Sequence, residues 1–91
     1  METTTGKQII EAIQRRAIAR WKQKWMAELV KAYVKIAIAN GDENATPFNR
    51  RPQLERVFKS GSCNLDTAIA LAAAVDCRFQ LACISVEIEE F

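Results

Sequence analysis

The sequence predicts a mainly α-helical single domain that ends in a β-strand. Residues 7–40 contain neither proline nor glycine, which is typical of one long helix or of two helices with a kink. Residues 66–75 are apolar and rich in alanine after the first position, which favours a buried helix. From residue 78 onward apolar and polar residues alternate, as they do in a strand. The 91 residues are enough for one small core.

The N-terminal helix is expected to begin after the threonines at 3–5, whose hydroxyls can cap it. Its second part, residues 26–40, is apolar around most of its circumference and should be largely enclosed. Asn40 and Gly41 should end it, because glycine readily adopts the left-handed conformation of a helix C-terminus. Its first part is amphipathic, with an apolar stripe at three- and four-residue steps made of Ile9, Ile10, Ile13, Ala17, Trp21 and Trp25.

Residues 41–49 are rich in turn-forming residues and are predicted to be a connecting loop. Pro52 suits the first turn of the helix that follows, where its missing N–H is not needed. This helix should begin near residue 50 and end at the Ser60-Gly61-Ser62 turn.

A second helix should follow directly, with its start marked by Asn64 and with Asp66 and Thr67 close behind as possible caps. It carries no charge from residue 67 to residue 75, so we expect it to be interior and to support the basic helix before it. Residues 50–77 are therefore predicted to form a pair of helices joined by a glycine turn, in the manner of a helix-turn-helix.

The last segment, residues 78–91, is predicted to be a strand. The alternation changes phase near Ala82 and Cys83, which indicates a bulge or bend. A lone strand leaves its backbone groups unpaired, so pairing with the same strand of a second copy is favoured. The alternative is a hairpin folded at residues 82–83, less favoured because no glycine, proline or asparagine stands there.

Charge is distributed unevenly along the chain. The net charge is +2, yet residues 1–59 hold twelve Lys/Arg against six Asp/Glu, while residues 60–91 hold one against five. The N-terminal two-thirds thus carry +6 and the remainder −4. This division favours an anionic partner for the N-terminal part. The alternative is a solvated basic face that binds nothing.

The helix before Gly61 combines cations with an amide side chain. Arginine can bind guanine through two hydrogen bonds, and glutamine can bind adenine in the same way. Other cations would hold phosphates. The segment therefore suits double-stranded DNA, with Gln53 and one arginine as candidates for base contact. The alternative is that these arginines solvate a surface helix and pair with Glu55 or with the acidic tail.

Residues 49–81 also resemble the C-terminal half of Cro- and HigA-like helix-turn-helix proteins. The residues that carry the resemblance are Leu54, Val57, Gly61, Leu65, Asp66, Thr67, Ile69 and Ala72. The chain departs from the family at Val75-Asp76-Cys77, where a leucine-glycine pair is usual, and in lacking a compact helix before residue 50. The resemblance implies a helix that enters the major groove, with DNA-binding candidates Asn49, Arg50, Arg51, Gln53, Arg56, Lys59 and Ser60.

A second cationic cluster lies in the first helix and is interleaved with tryptophans. It could flank the DNA backbone or stack on bases. The alternative is that tryptophans four residues apart form a packing seam, either within the chain or between two copies. The residues are Arg15, Arg16, Arg20, Trp21, Lys24 and Trp25.

Several classes of function are disfavoured by what the sequence lacks. There is no histidine, and Cys63, Cys77 and Cys83 form no CxxC pair, so we expect no metal site and no cofactor. The cysteines are interpreted as small buried hydrophobic residues. No nucleophile stands beside a base in a known motif, so we expect no enzyme. No apolar run could span a membrane or direct secretion, so a cytoplasmic location is expected.

The sequence thus predicts a homodimeric DNA-binding regulator, either a repressor or a protein of the antitoxin or phage type. Its two copies would associate through the C-terminal strand, the N-terminal helix or both, and would read a palindromic site. The alternative is a small protein-interaction module, such as a phage-encoded inhibitor or an antitoxin that covers a toxin or a host complex.

Overall fold

The computed structural model describes residues 4–82 and 88–90. This part of the chain is mainly helical, as predicted. Its elements in chain order are α1 (Gly6–Trp21), a 3₁₀ turn (Lys22–Lys24), α2 (Trp25–Ala39), α3 (Pro47–Ser60), α4 (Leu65–Ala74), β1 (Gln80–Ala82) and β2 (Ile88–Glu90).

The N-terminal region is a pair of helices rather than one continuous helix. Thr5 caps α1 as predicted, and its hydroxyl and the Gln8 side chain bond reciprocally to each other's backbone N–H. Lys22 ends α1 with φ of +55°, a conformation that disrupts the helical ladder. The 3₁₀ turn then leads into α2, so the chain changes direction without a glycine or proline.

Helix α2 is the centre of the fold and contacts α1, α3 and α4. It contributes Leu29, Val30, Tyr33 and Val34 to the buried core, whereas Ile38 near its C-terminus is 48% exposed, so the prediction that this segment is largely enclosed holds only for its middle. The remaining core residues come from all the other helices and from the segments next to them: Ile10, Ile13, Ala17, Ala45, Leu54, Val57, Leu71, Ala72, Ala74 and Val75.

Helix α3 begins earlier than predicted. Pro47, not Pro52, occupies its first position, so the connecting loop is shorter than residues 41–49. Pro52 lies inside the helix and cannot donate to the carbonyl of Phe48. Phe48 is 91% exposed in the first turn, so water can replace the missing donor and the helix continues past the proline.

Helix α4 has the predicted N-cap, since the Asn64 side chain accepts a hydrogen bond of 2.8 Å from the Thr67 N–H. The prediction that this helix is interior is correct for the side that faces α1 and α2 and wrong for the opposite side. Leu65 and Ile69 are 69% and 46% exposed. A helix that packs only against α1 and α2 buries one side and leaves the opposite side in solvent, whatever its composition.

The C-terminal segment is not one strand. Strand β1 pairs with β2 of the same chain in antiparallel register, with Gln80 opposite Glu90. Glu90 also accepts hydrogen bonds from Arg78 and Gln80, so opposite charges favour the pairing. An intermolecular strand is therefore no longer needed to satisfy these backbone groups. The bulge predicted at Ala82 and Cys83, and the alternation predicted through residues 84–87, extend outside the described residues.

Candidate nucleic-acid interface

Helix α3 has one buried side and one polar side. Leu54 and Val57 are buried and attach the helix to the core. The outward side carries most of the predicted DNA-binding residues, together with a phenylalanine, two prolines and an acid. Its exposed residues are Pro47, Phe48, Asn49, Arg51, Pro52, Glu55, Arg56, Lys59 and Ser60.

The support for α3 differs from the prediction. In the described part of the chain, α3 packs against α1 and α2, whereas no direct backbone packing joins it to α4. The ring of Trp25 meets that of Phe58 edge to face, with centroids 5.3 Å apart. The aliphatic stem of Lys7 lies against Gly61 at the end of the helix. Helices α1 and α2 therefore fix the position of the basic surface.

Asn49 stabilises the start of α3. Its side-chain oxygen accepts a hydrogen bond of 2.9 Å from the Thr46 N–H, while its side-chain nitrogen donates one of 2.8 Å to the Asn44 carbonyl. The Thr46 hydroxyl in turn accepts from the Asn49 N–H. A base contact would require this amide to give up bonds that cap the helix, so Asn49 is a poor candidate for reading DNA.

Arg50 is held by an acid of the loop before α3. Its guanidinium lies 2.6 Å from a carboxylate oxygen of Asp42, and its side chain is only 27% exposed. The pair neutralises the charge of Arg50 and fastens the loop to the helix. Arg50 therefore belongs to a structural ion pair and is not available as a free cation.

Arg51 is held much more loosely. Its Nε lies 3.7 Å from a carboxylate oxygen of Glu55, one turn further along the helix, and both side chains are about half exposed. Pairs of this kind contribute only about 0.3–0.5 kcal/mol. Arg51 can therefore exchange this carboxylate for an external anion at little cost.

Arg56 and Lys59 are the cations that remain available on α3. Both are exposed, and among the ion pairs of residues 4–82 and 88–90 neither has a carboxylate partner. They lie one turn apart, and Gln53, half-buried, precedes Arg56 by one turn. The Ser60 hydroxyl lies 3.3 Å from that of Ser62 and belongs to the turn that follows.

Phe48 is a feature that the sequence analysis missed. It is 91% exposed in the first turn of α3, and no other large hydrophobic residue among the described ones is so exposed. Residue 48 falls within the predicted connecting loop, so Phe48 was not predicted to stand exposed on a helix. The Thr46-to-Asn49 spacing could have revealed it, because it is a capping pattern that places residue 48 on the first helical turn.

The second cationic cluster divides into a packed part and a free part. Trp21 and Trp25 are half-buried and pack against the core, which favours the packing-seam interpretation for both. Arg20 lies 5.3 Å from the centroid of the Trp21 ring and forms an ion pair with Asp76. The exposed cations of this region that are outside such pairs in the described structure are Arg15, Arg16, Lys22 and Lys24.

The two described cysteines are half-buried rather than fully buried. Desolvation raises the pKa of the Cys63 thiol, which keeps it protonated and unreactive at neutral pH. The Cys77 thiol donates a weak hydrogen bond to the Val75 carbonyl. Within the described residues no cluster of acids and cysteines could hold a metal ion. Cys83 lies outside them.

The comparisons with known proteins assign the chain to no family. No family model matches the chain, and neither the curated proteins nor the solved structures include a significant match. Across the described ranges, no helix combines the length and the apolar character needed to cross a membrane.

Proposed function

We propose that this protein binds double-stranded DNA with the outward side of α3 and works as a transcriptional regulator of the repressor, antitoxin or phage type. The observation that carries the proposal is the pair Arg56 and Lys59, exposed and outside every ion pair of the described residues. Unneutralised cations on one helix face attract phosphates, and each phosphate contact releases counterions from DNA. No enzymatic step is part of this proposal.

The size of α3 suits the major groove. Its 14 residues give a rod about 21 Å long, and the groove, about 12 Å wide, admits a helix. We assign base contact to Gln53 and Arg56, which lie on one side of the helix, and phosphate contact to Arg51 and Lys59. Asn49 and Arg50 leave the contact set, because the capping hydrogen bonds and Asp42 already engage them.

In this proposal α3 and α4 correspond to the helix pair of the resembling family, in a variant where α3 packs on α1 and α2 and not on α4. The four residues 61–64 join them, and α3 is the reading helix. The support that a preceding compact helix gives in the resembling family would come here from α1 and α2. A dimer of such units would read a palindrome with half-sites about one helical turn, or 34–36 Å, apart.

The experiment that tests the proposal is selection of binding sequences from a random duplex pool by the full chain. Enrichment of one palindromic motif supports the proposal. The variant Gln53→Ala/Arg56→Ala, which removes both assigned base contacts, should then retain weak, salt-sensitive binding to any duplex while losing the preference for the motif. Recovery of random sequences by the wild-type protein, at an affinity that heparin abolishes, would contradict specific regulation.

A second candidate function is a protein-interaction module that covers a toxin or a host complex. The exposed ring of Phe48 favours it, because aromatic side chains beside arginine often provide most of the binding energy at protein interfaces. A complex that survives about 1 M salt and is lost in Phe48→Ala would support this candidate, since such salt screens exposed charges to about 3 Å. A complex lost at that salt concentration would count against it.

A further inference from the structure

Helix α4 exposes an apolar stripe on the side that faces away from the core. The stripe consists of Leu65, Ile69 and Ala73, spaced by four residues, and all three are exposed. Single exposed hydrophobic residues are ordinary on protein surfaces. Here two large aliphatic side chains follow one another on a single helix face, and that pattern marks an interaction surface.

The stripe borders an open groove between α2 and α4. Ile36 of α2 and Asn40, the residue that follows α2, line one side of the groove, and Ala70 lies beside Ile69 on the other. Ile36 is itself half-buried and packs against the core. The apolar surface therefore continues from α4 onto α2.

We infer that this stripe is the interface between two copies of the chain, with their α4 helices antiparallel about a twofold axis at Ile69. Such pairing places Leu65 of each copy opposite Ala73 of the other, because both lie four residues from Ile69. A large side chain then meets a small one at each end, and Ile69 meets itself at the axis. A surface that is self-complementary in this way fits the symmetric contact of a C2 dimer.

The charges around the stripe favour a second copy over a nucleic acid or a lipid surface. Asp66 lines the groove beside the stripe, and Asp76 lies just beyond the end of α4. The Asp66 carboxylate repels phosphates, whether of DNA or of lipid headgroups, whereas that of Asp76 is already paired with Arg20. Two alanines at the stripe, Ala70 and Ala73, also allow the two helices to approach closely.

The dimer is independent of the DNA proposal, since it uses another surface and is tested by molecular mass. Sedimentation equilibrium on the full chain should give a mass that rises with concentration from the 10.3 kDa of one copy toward twice that value. Higher salt should not weaken association, because the contact is apolar and contains no pair of opposite charges between the copies. A constant mass of one copy at every concentration would overturn the inference.

The variant Ile69→Glu should weaken association at least about tenfold, because two carboxylates then face each other at the axis. Matched controls are Ile18→Glu and Ile38→Glu, since these residues are 41% and 48% exposed and lie on α1 and α2. Both controls should associate as the wild type does. Association weakened in a control but retained in Ile69→Glu would place the interface elsewhere and overturn the inference.

A pair of size exchanges tests the register without adding charge. Leu65→Ala alone leaves a gap opposite Ala73, and Ala73→Leu alone makes two leucines collide. The double variant Leu65→Ala/Ala73→Leu restores a large residue opposite a small one at both ends. It should recover association to within about threefold of the wild type, whereas each single variant should associate more weakly. A double variant as weak as the two single changes combined would contradict the antiparallel register.

Discussion

Helices α3 and α4 follow one another with four residues between them, and both begin with a polar N-cap, Thr46 in one and Asn64 in the other. Both are also followed closely by a residue with positive φ. Their surfaces are opposite in character. Helix α3 buries a narrow apolar side and exposes cations, whereas α4 buries a broad alanine-rich side and exposes leucine and isoleucine.

The comparison shows that the same local signals can build two helices for different partners. Capping fixes where a helix begins, and the packed side fixes its orientation, but the outward residues decide what it attracts. The cations of α3 suit a polyanion that binds through charge. The aliphatic stripe of α4 suits an apolar surface that binds through exclusion of water. Each prediction below changes one helix and uses the other, or another part of the chain, as its reference.

The largest effects are expected in the core. Leu54 of α3 and Leu71 of α4 are both fully buried, so replacing either by alanine should lower the free energy of unfolding by about 2–5 kcal/mol. Urea denaturation would measure both. Ile69→Ala on the outward side of α4 should cost less than about 1 kcal/mol. A small loss for Leu54→Ala would mean that α3 is not seated in the core as described.

Replacement of Gly61, which ends α3, is expected to lower the stability of the protein. Its φ is +74°, and an added Cβ would lie 3.0 Å from Cγ of Lys7. Gly61→Ala should therefore lower stability by about 1–2 kcal/mol in thermal or urea unfolding. The matched change is Gly6→Ala, where a Cβ meets nothing within 4 Å. Equal effects at the two positions would show that the left-handed turn is not needed.

Substitution of the capping residues should lower the stability of the protein without lowering its affinity for DNA. Thr46→Ala and Asn49→Ala should each lower the free energy of unfolding by about 0.5–2 kcal/mol, because each removes part of the cap of α3. Asn64→Ala should do the same for α4. At a temperature where all variants are folded, Asn49→Ala should bind DNA as tightly as the wild type. A selective loss of DNA affinity in Asn49→Ala would return this residue to the contact set.

The smallest expected effect comes from the acid on the outward side of α3. Glu55→Gln removes a repulsion toward phosphates and releases Arg51 from its 3.7 Å ion pair. DNA affinity should rise about two- to fivefold, in line with the small energy of exposed pairs. Asp66→Gln makes the same charge change on α4 and should alter DNA affinity less. Fluorescence anisotropy with a labelled duplex would compare the two variants.

Local features of this fold could be predicted from the sequence. The caps at Thr5 and Asn64 and the turn at Gly61 depend on neighbouring residues alone, and they lie where their spacing indicates. The predicted first position of α3 is wrong because Pro47 and Pro52 both suit such a position. The capping interaction of Thr46 with Asn49 decides between them in favour of Pro47.

Features that depend on distant packing could not be predicted in the same way. The exposure of Ile69 depends on which side of α4 contacts α2, and its apolar neighbours gave no sign of that choice. The Arg50–Asp42 ion pair depends on how a loop folds back on α3. The lack of glycine, proline and asparagine at residues 82–83 argues against a hairpin, whereas the opposite charges of Arg78 and Glu90 favour the pairing of β1 with β2 that the structure shows.

The most direct test of DNA binding by α3 is the salt dependence of duplex affinity for two double variants of equal charge. Arg56→Gln/Lys59→Gln changes α3, and Lys31→Gln/Lys35→Gln removes two exposed lysines from α2. The α3 variant should bind about 10–100-fold more weakly at low salt and reduce the slope of log K against log salt by about 1–2, while the α2 variant keeps the wild-type slope. Equal losses in the two variants, or a wild-type protein that binds no duplex, would contradict a DNA-binding surface on α3.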